Sequence, residues 1–327
     1  MRGLWLSVMA ALLLGPVAAR AETFGVSTVH RPDYPSVLAM AEMSRLVAER
    51  TGGRIKLALQ PKSGDTESFT LQQVRTGRLA MATVGVANFH DLVPATTVLS
   101  LPYLFESDDH VRRTLDGPIG EEILASLDEI GLVGLCFYDP GYRSIMARRP
   151  VRNGADMKNL KIAVPLSEMA RATVQAMGGQ PVPLPGSLVY EALKARLVDA
   201  AEDNASAYLS AFLASRQQTA TGVYSLTRHS RPPEILVVSK AAWLRLSPDD
   251  QQLLRTAARE SATLQRQLRL EREYAARATA ASLGVEIVTE VDRKALADAT
   301  EPVSAHYRAD PAVKALVARI KAIASVP

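Results

Sequence analysis

The sequence predicts an α/β fold in two similar lobes, with one long helix lying across both. Three observations predict it. Apolar strand-like runs alternate with amphipathic helical stretches through most of the chain. A β-α-β pattern occurs twice, first near the N-terminus and again from Leu160 onward. Near the C-terminus a strong helix start is followed by about 35 residues without Gly or Pro, roughly 50 Å of helix, whereas a small domain is about 30 Å across.

The elements follow in order. Met1 to Ala21 reads as a signal peptide. Arg2 gives the positive start, Leu4 to Leu14 an apolar run too short to span a bilayer, and Ala19-Arg20-Ala21 a small-x-small cleavage site. Phe24 to Val29 is a first strand. Pro32 and Asp33 open a helix carrying Val37, Met40, Ala41 and Val47 at helical spacing, which Gly52-Gly53 ends. Ile55, Leu57 and Leu59 mark a second strand, Glu67 to Arg75 a helix, and Leu79 to Val84 a third strand. Leu132 to Tyr138 reads as a buried strand holding the single cysteine, Cys136, as an inert core thiol.

The second unit begins with the strand Leu160 to Val164, stopped by Pro165. A helix from about Ser167 to Met177, an extended Pro181 to Leu184 and a helix from Leu188 to Leu197 follow. Ser247-Pro248-Asp249-Asp250 combines a hydroxyl cap, Pro at the first position and acids on the positive dipole end. The helix it opens runs toward Gly284; the alternative is two helices with a kink near Ser261.

Composition excludes several function classes. The formal charge of +4 falls to +2 once the signal peptide, with two Arg and no acid, is removed. No basic stripe with interleaved aromatics points to nucleic acid. The sequence holds no H-E-x-x-H, C-x-x-C, G-x-S-x-G or glycine-rich phosphate loop. The five histidines show no metal-ligand spacing. No cofactor, no metal and no catalytic residue is therefore assigned.

A family resemblance rests on several segments in order: Gly52-Gly53-Arg54-Ile55, Leu101-Pro102-Tyr103-Leu104-Phe105, Gly141-Tyr142-Arg143, Lys161-Ile162-Ala163-Val164-Pro165, Pro181-Val182-Pro183, Val198-Asp199-Ala200-Ala201-Glu202-Asp203 and Thr227-Arg228-His229. Together they resemble the solute receptors of tripartite ATP-independent periplasmic (TRAP) transporters, of the dicarboxylate-receptor type. The resemblance implies a two-lobed periplasmic-binding-protein-like fold, each lobe a mixed sheet flanked by helices, with hinge strands and closure over a ligand. It implies lobe I at 22–140 plus about 229–260, and lobe II at 141–228 plus about 261–327. The expected protein is a periplasmic monomer and not an enzyme. Its partners are a small-molecule ligand and the integral membrane permease subunits of a TRAP transporter.

The family places two arginines about twenty residues apart on a substrate carboxylate, since the planar guanidinium can donate two parallel hydrogen bonds. Arg143 matches the first; Ala163 stands at the second. Gly186 stands where an aromatic often stacks on the ligand, and Asp203 where the family commonly has Asn. Gly85 and Asn88 lie where a sialic-acid-binding member carries charge. These departures argue against a small dicarboxylate or sialic acid. Two ligand models follow. In the favoured one Arg143 grips a monocarboxylate while Asn88, Asp203 or Glu234 meets its hydroxyl or amino groups. In the other Asp203 neutralises Arg143 and the ligand is neutral or cationic. Glu67 and Tyr208 complete the candidate set, with Arg31, Phe212, Ser27, Tyr142 and Leu166 as weaker candidates. The alternative function is a ligand sensor that signals to a membrane sensor kinase.

Overall fold

The computed structural model describes residues 21–324 apart from 62, 63, 65, 208–220 and 283. The expected signal peptide, Tyr208 and Phe212 therefore lie outside the described residues. The chain starts with β1 (Glu22–Thr28), α1 (Pro35–Arg50), β2 (Ile55–Pro61), α2 (Glu67–Arg75) and β3 (Met81–Gly85). Pro35 opens α1 where its missing N–H costs nothing, and Thr66 Oγ1 accepts Phe69 N–H at 3.3 Å to cap α2. Two short helices, α3 (Asp108–Leu115) and α4 (Pro118–Ser126), lead to β4 (Leu132–Tyr138).

At Asp139–Tyr142 the chain leaves the first sheet for the second. There it forms β5 (Arg143–Ala147), α5 (Gly154–Met157), β6 (Lys161–Val164), α6 (Glu168–Ala176), β7 (Gln180–Pro183), α7 (Gly186–Lys194), β8 (Ala200–Asn204) and β9 (Val223–Ser230). Arg231–Pro233 carries it back to β10 (Glu234–Ser239), and β11 (Glu286–Val288) later joins the second sheet. The two sheets are ordered β2-β1-β3-β10-β4 and β11-β9-β5-β8-β6-β7. Both are mixed: β1 pairs in parallel with β2 and β3, while β10 runs antiparallel to β3 and β4. The segments after β4 and β9 are thus the two strand connections between lobes.

The long helix is unbroken from Pro248 to Ser282, 35 residues. Ser247 Oγ accepts Asp250 N–H at 3.1 Å, the expected cap. Ser261 produces no kink; its hydroxyl bonds Ala258 O within the helix and meets Tyr138 Oη at 2.9 Å. The helix buries Leu254, Ala257, Ala258 and Ala262 with α1 in the core of the first lobe. One half-length further on it buries Ala276 and Ala280 in the core of the second. It is the spine that its length required.

One boundary differs from expectation. The last helix, Pro311–Ala324, lays Val313, Leu316, Val317 and Ile320 against Val98, Val111 and Leu115 of the first lobe. Its apolar stripe finds the open face of that lobe's core, so the chain crosses once more after the long helix. β9, with His229 and Ser230, stays in the second sheet. Cys136 is buried in β4, and burial pushes its thiol up to about 12, so it is inert as expected.

Candidate functional site

The carboxyl ends of β1 and β3, the start of α2 and the start of β10 meet at one corner of the first lobe. Antiparallel register sets Glu234 opposite Gly85. Glu67, in the first turn of α2, accepts from Gly85 N–H at 3.0 Å and from Asn88 Nδ2 at 2.9 Å. A Cβ on Gly85 would come within 3.1 Å of Glu67 Oε2, so the small residue lets the carboxylate approach the strand end. His30, two residues beyond β1, holds Glu234 Oε1 at 2.5 Å through Nε2 and stacks on Tyr34, centroids 4.1 Å apart at 14°. Glu234 Oε2 is buried and has no hydrogen-bond partner among the described residues.

The second lobe contributes the start of β5 and the end of β8, which register pairs as Arg143 opposite Asn204. Arg143 Nε donates to Glu202 Oε2 at 2.5 Å, Nη2 to the Glu202 carbonyl at 2.8 Å and Nη1 to Asp203 Oδ1 at 3.1 Å. A guanidinium carries five N–H donors, so among the described residues one remains on each terminal nitrogen. His229 Nε2 stands 3.3 Å from Glu202 Oε2. Asn204 Nδ2 donates to Tyr34 Oη at 3.3 Å, so the two lobes touch through the site.

The electrostatics follow from this crowding. Burial opposes ionisation of Glu202, but Arg143 and His229 outweigh it and hold its carboxyl at about 2. Burial raises Glu67, and the neighbouring Glu234 raises it further. Burial also raises Asp203 despite Arg143 beside it. Burial disfavours the His30 imidazolium, yet Glu234, Glu67 and Asp203 together lift its pKa above the ordinary value. Four carboxylates thus surround one guanidinium and one imidazole. Such a site can take a single anionic group at Arg143 and offers hydrogen-bond acceptors elsewhere.

Arg143, Asp203, Asn88, Glu234 and Glu67 are therefore brought together. Ala163 is not. It is 1% exposed within an apolar cluster with Met146, Leu193 and Ala201, because β6 lies between β7 and β8 with its side chains covered. Gly186 opens α7 with nothing within 4 Å of where a Cβ would sit, which is room but not contact. Arg31 is exposed and pairs with Asp33 at 3.3 Å. Leu166 is exposed and Ser27 buried. Tyr142 Oη donates to Phe105 O at 3.2 Å under the Arg231 guanidinium, 4.5 Å from its ring centre, and so belongs to the hinge.

Sequence reasoning missed His30 and Tyr34, and neither of its two models for Arg143 included Glu202. Their position just past the carboxyl end of the first strand, where open α/β sheets bind ligands, was the available signal. It also missed the hinge. Asp139, from the β4–β5 connection, accepts from Arg231 Nε at 2.8 Å and Nη2 at 2.5 Å, from the β9–β10 connection. Gln265 of the long helix brackets the same residue, accepting from Asp139 N–H at 3.0 Å and donating to its carbonyl at 2.9 Å. The two strand connections and the long helix are thus tied at one buried aspartate. Arg231 and Arg269 outweigh the effect of burial and hold its carboxyl well below the usual range.

Among the described residues no group of His, Cys, Asp and Glu could hold a metal ion, and no helix is long and apolar enough to cross a membrane. Residues 26–310 match the model of bacterial extracellular solute-binding protein, family 7 (DctP). The chain is 34% identical over 299 residues to the 2,3-diketo-L-gulonate-binding periplasmic protein YiaO of Escherichia coli, covering 90% of this chain and 89% of that one. It is 28% identical over 250 residues to the C4-dicarboxylate-binding periplasmic protein DctP of Rhodobacter capsulatus, covering 75% and 73%. A TRAP periplasmic solute-binding protein from a Bradyrhizobium species, solved with α/β-D-galacturonate, superimposes with a TM-score of 0.86 at 40% identity, covering 91% of this chain and 99% of that one. One from Chromohalobacter salexigens, solved with D-glucuronate, gives 0.87 at 31% identity, covering 92% and 99%.

Proposed function

The chain belongs to family 7 of the bacterial extracellular solute-binding proteins, the DctP family of TRAP periplasmic receptors, and from that premise we propose that it captures a sugar acid of the hexuronate class. A TRAP receptor hands its solute to a membrane permease. In this reading the chain is exported through its N-terminal segment, acts as a monomer, and closes its lobes about the hinge at Asp139. The ligand site is formed by Arg143, Asp203, Asn88, Glu67 and Glu234, and the solute leaves unaltered.

The carrying observation is Arg143: two of its N–H donors have no partner among the described residues, and Glu67, Asp203 and Glu234 belong to the same site. One ligand carboxylate finds a pair of donors there. A second carboxylate would meet only like charge, whereas hydroxyls meet acceptors. A cationic ligand would be repelled by the guanidinium, and the hydroxyls of a neutral ligand would give those donors only neutral acceptors, whose hydrogen bonds are roughly half as strong as those of a carboxylate. The uronates named with the solved relatives combine one carboxylate with several hydroxyls, which supports the same class. A thermal-shift panel tests it, because a ligand bound only by the native state raises the melting temperature. D-glucuronate and D-galacturonate should raise it, while succinate and D-glucose should not. A shift confined to succinate or to neutral sugars would refute the class.

A further inference from the structure

We propose that Glu234 reads one ligand hydroxyl, taking a hydrogen bond on Oε2, and so selects polyhydroxylated acids over simple ones. The inference rests on the hexuronate reading and assigns part of its specificity to one residue outside the carboxylate anchor. Glu234 is 6% exposed, at the first position of β10, next to the returning hinge connection. Oε1 is held by His30, and stacking of His30 on Tyr34 fixes that imidazole. Oε2 has no donor among the described residues. A buried acceptor left unpaired is costly, and the neighbouring groups cannot relieve it. Glu67 and Asp203 are themselves carboxylates. Asn88 already donates to Glu67 and to Gly85 O. Arg143 lies across the site with Glu202 and Asp203, and its two remaining donors are those that meet the ligand carboxylate.

Among the described residues none supplies the missing donor, and a bound ligand can. A hydroxyl supplies one proton and fits. A ligand carboxylate supplies none and is repelled. His30 sets the side chain so that only one oxygen is presented, which makes the reading specific for position as well as for chemistry. His30 acts here as a positioning residue.

A coupling cycle tests this with D-glucuronate and its singly deoxygenated analogues, titrated into the wild-type protein and Glu234→Gln. For the wild type, one analogue should bind about tenfold to a hundredfold more weakly than D-glucuronate, the range for a hydrogen bond to a charged group. In Glu234→Gln that particular loss should shrink to about threefold or less, and the losses for the other analogues should stay as they were. Thermal melting of the variant establishes that it is folded, and Glu234→Asp serves in its place if it is not. Equal losses in both proteins for every analogue would overturn the role of Glu234 while leaving the hexuronate reading intact. No binding of any uronate by the wild type would overturn both.

Discussion

Tyr34 and Asn204 join the two lobes directly: the Asn204 amide donates to the Tyr34 hydroxyl at 3.3 Å, from the end of β8 to the start of α1. The same tyrosine carries His30 on its face, and the same asparagine follows Asp203, so the inter-lobe contact and the proposed ligand site share one set of side chains.

Tyr34→Phe keeps the stack and removes the hydroxyl. One ordinary hydrogen bond contributes about 0.5–1.5 kcal/mol, so D-glucuronate affinity should fall about twofold to tenfold. Calorimetric titration checks this, and the circular-dichroism melt of the ligand-free variant should remain close to that of the wild type.

Removal of Arg143 should affect both ligand and fold. Truncating one partner of a buried charge pair costs about 2–5 kcal/mol of affinity. Glu202 is only 1% exposed in its side chain and would be left without its guanidinium. Arg143→Ala should therefore also lower the urea midpoint, by about 3–5 kcal/mol of stability. Arg143→Lys keeps the charge but not the fork. It should recover most of the stability and little of the affinity.

The hinge aspartate should matter for the whole molecule. Asp139→Asn leaves Arg231 and Arg269, both nearly fully buried, without their central counter-charge. A loss of about 3–5 kcal/mol in urea unfolding is expected. Asp108, more than half exposed, also touches Arg231 and Arg269 and should offset only a small part of it.

The pH dependence follows from groups shifted in opposite directions, of which Glu202 and Glu67 are examples. Glu202 is held at about 2 against an ordinary 4.5. Its stabilisation is present above 4.5 and is lost as pH falls toward 2. Glu67 is raised above 4.5, so its folded form binds protons more readily than the unfolded chain. Stability linked to Glu67 is present below 4.5 and lost as pH rises through its raised value. Urea midpoints should therefore rise on mild acidification from pH 7 and fall again toward pH 2. Glu67→Gln should reduce the first change, to which the raised Asp203 and His30 also contribute, and leave the second, since the amide cannot titrate.

Much of the fold was legible because it depends on local pattern. Ser247-Pro248 set the start of the long helix, and the lack of Gly or Pro to Leu283 let it run through Ser282. Leu132 to Tyr138 and Glu67 to Arg75 appear at the expected positions. Contacts made at long range were not legible. Asp139 and Arg231 are 92 positions apart, and no periodicity links them. His30 reads alone as a surface residue until β10 brings Glu234 beside it, 204 positions away. The sequence set Arg143 on a ligand carboxylate or, in the other model, against Asp203, and left out Glu202. At a strand end, however, the guanidinium reaches past the pleat and takes Glu202 through both its side chain and its carbonyl. Ala163 was placed by analogy in the ligand site, whereas its own sheet neighbours cover it.

Titration of the wild-type protein with D-glucuronate and with succinate, followed by recovery of the solute, tests the capture of a sugar acid most directly. One uronate should bind per chain, succinate should give no binding heat, and the recovered uronate should be chemically unchanged by nuclear magnetic resonance. Tighter binding of succinate, absence of uronate binding, or conversion of the recovered solute would contradict it.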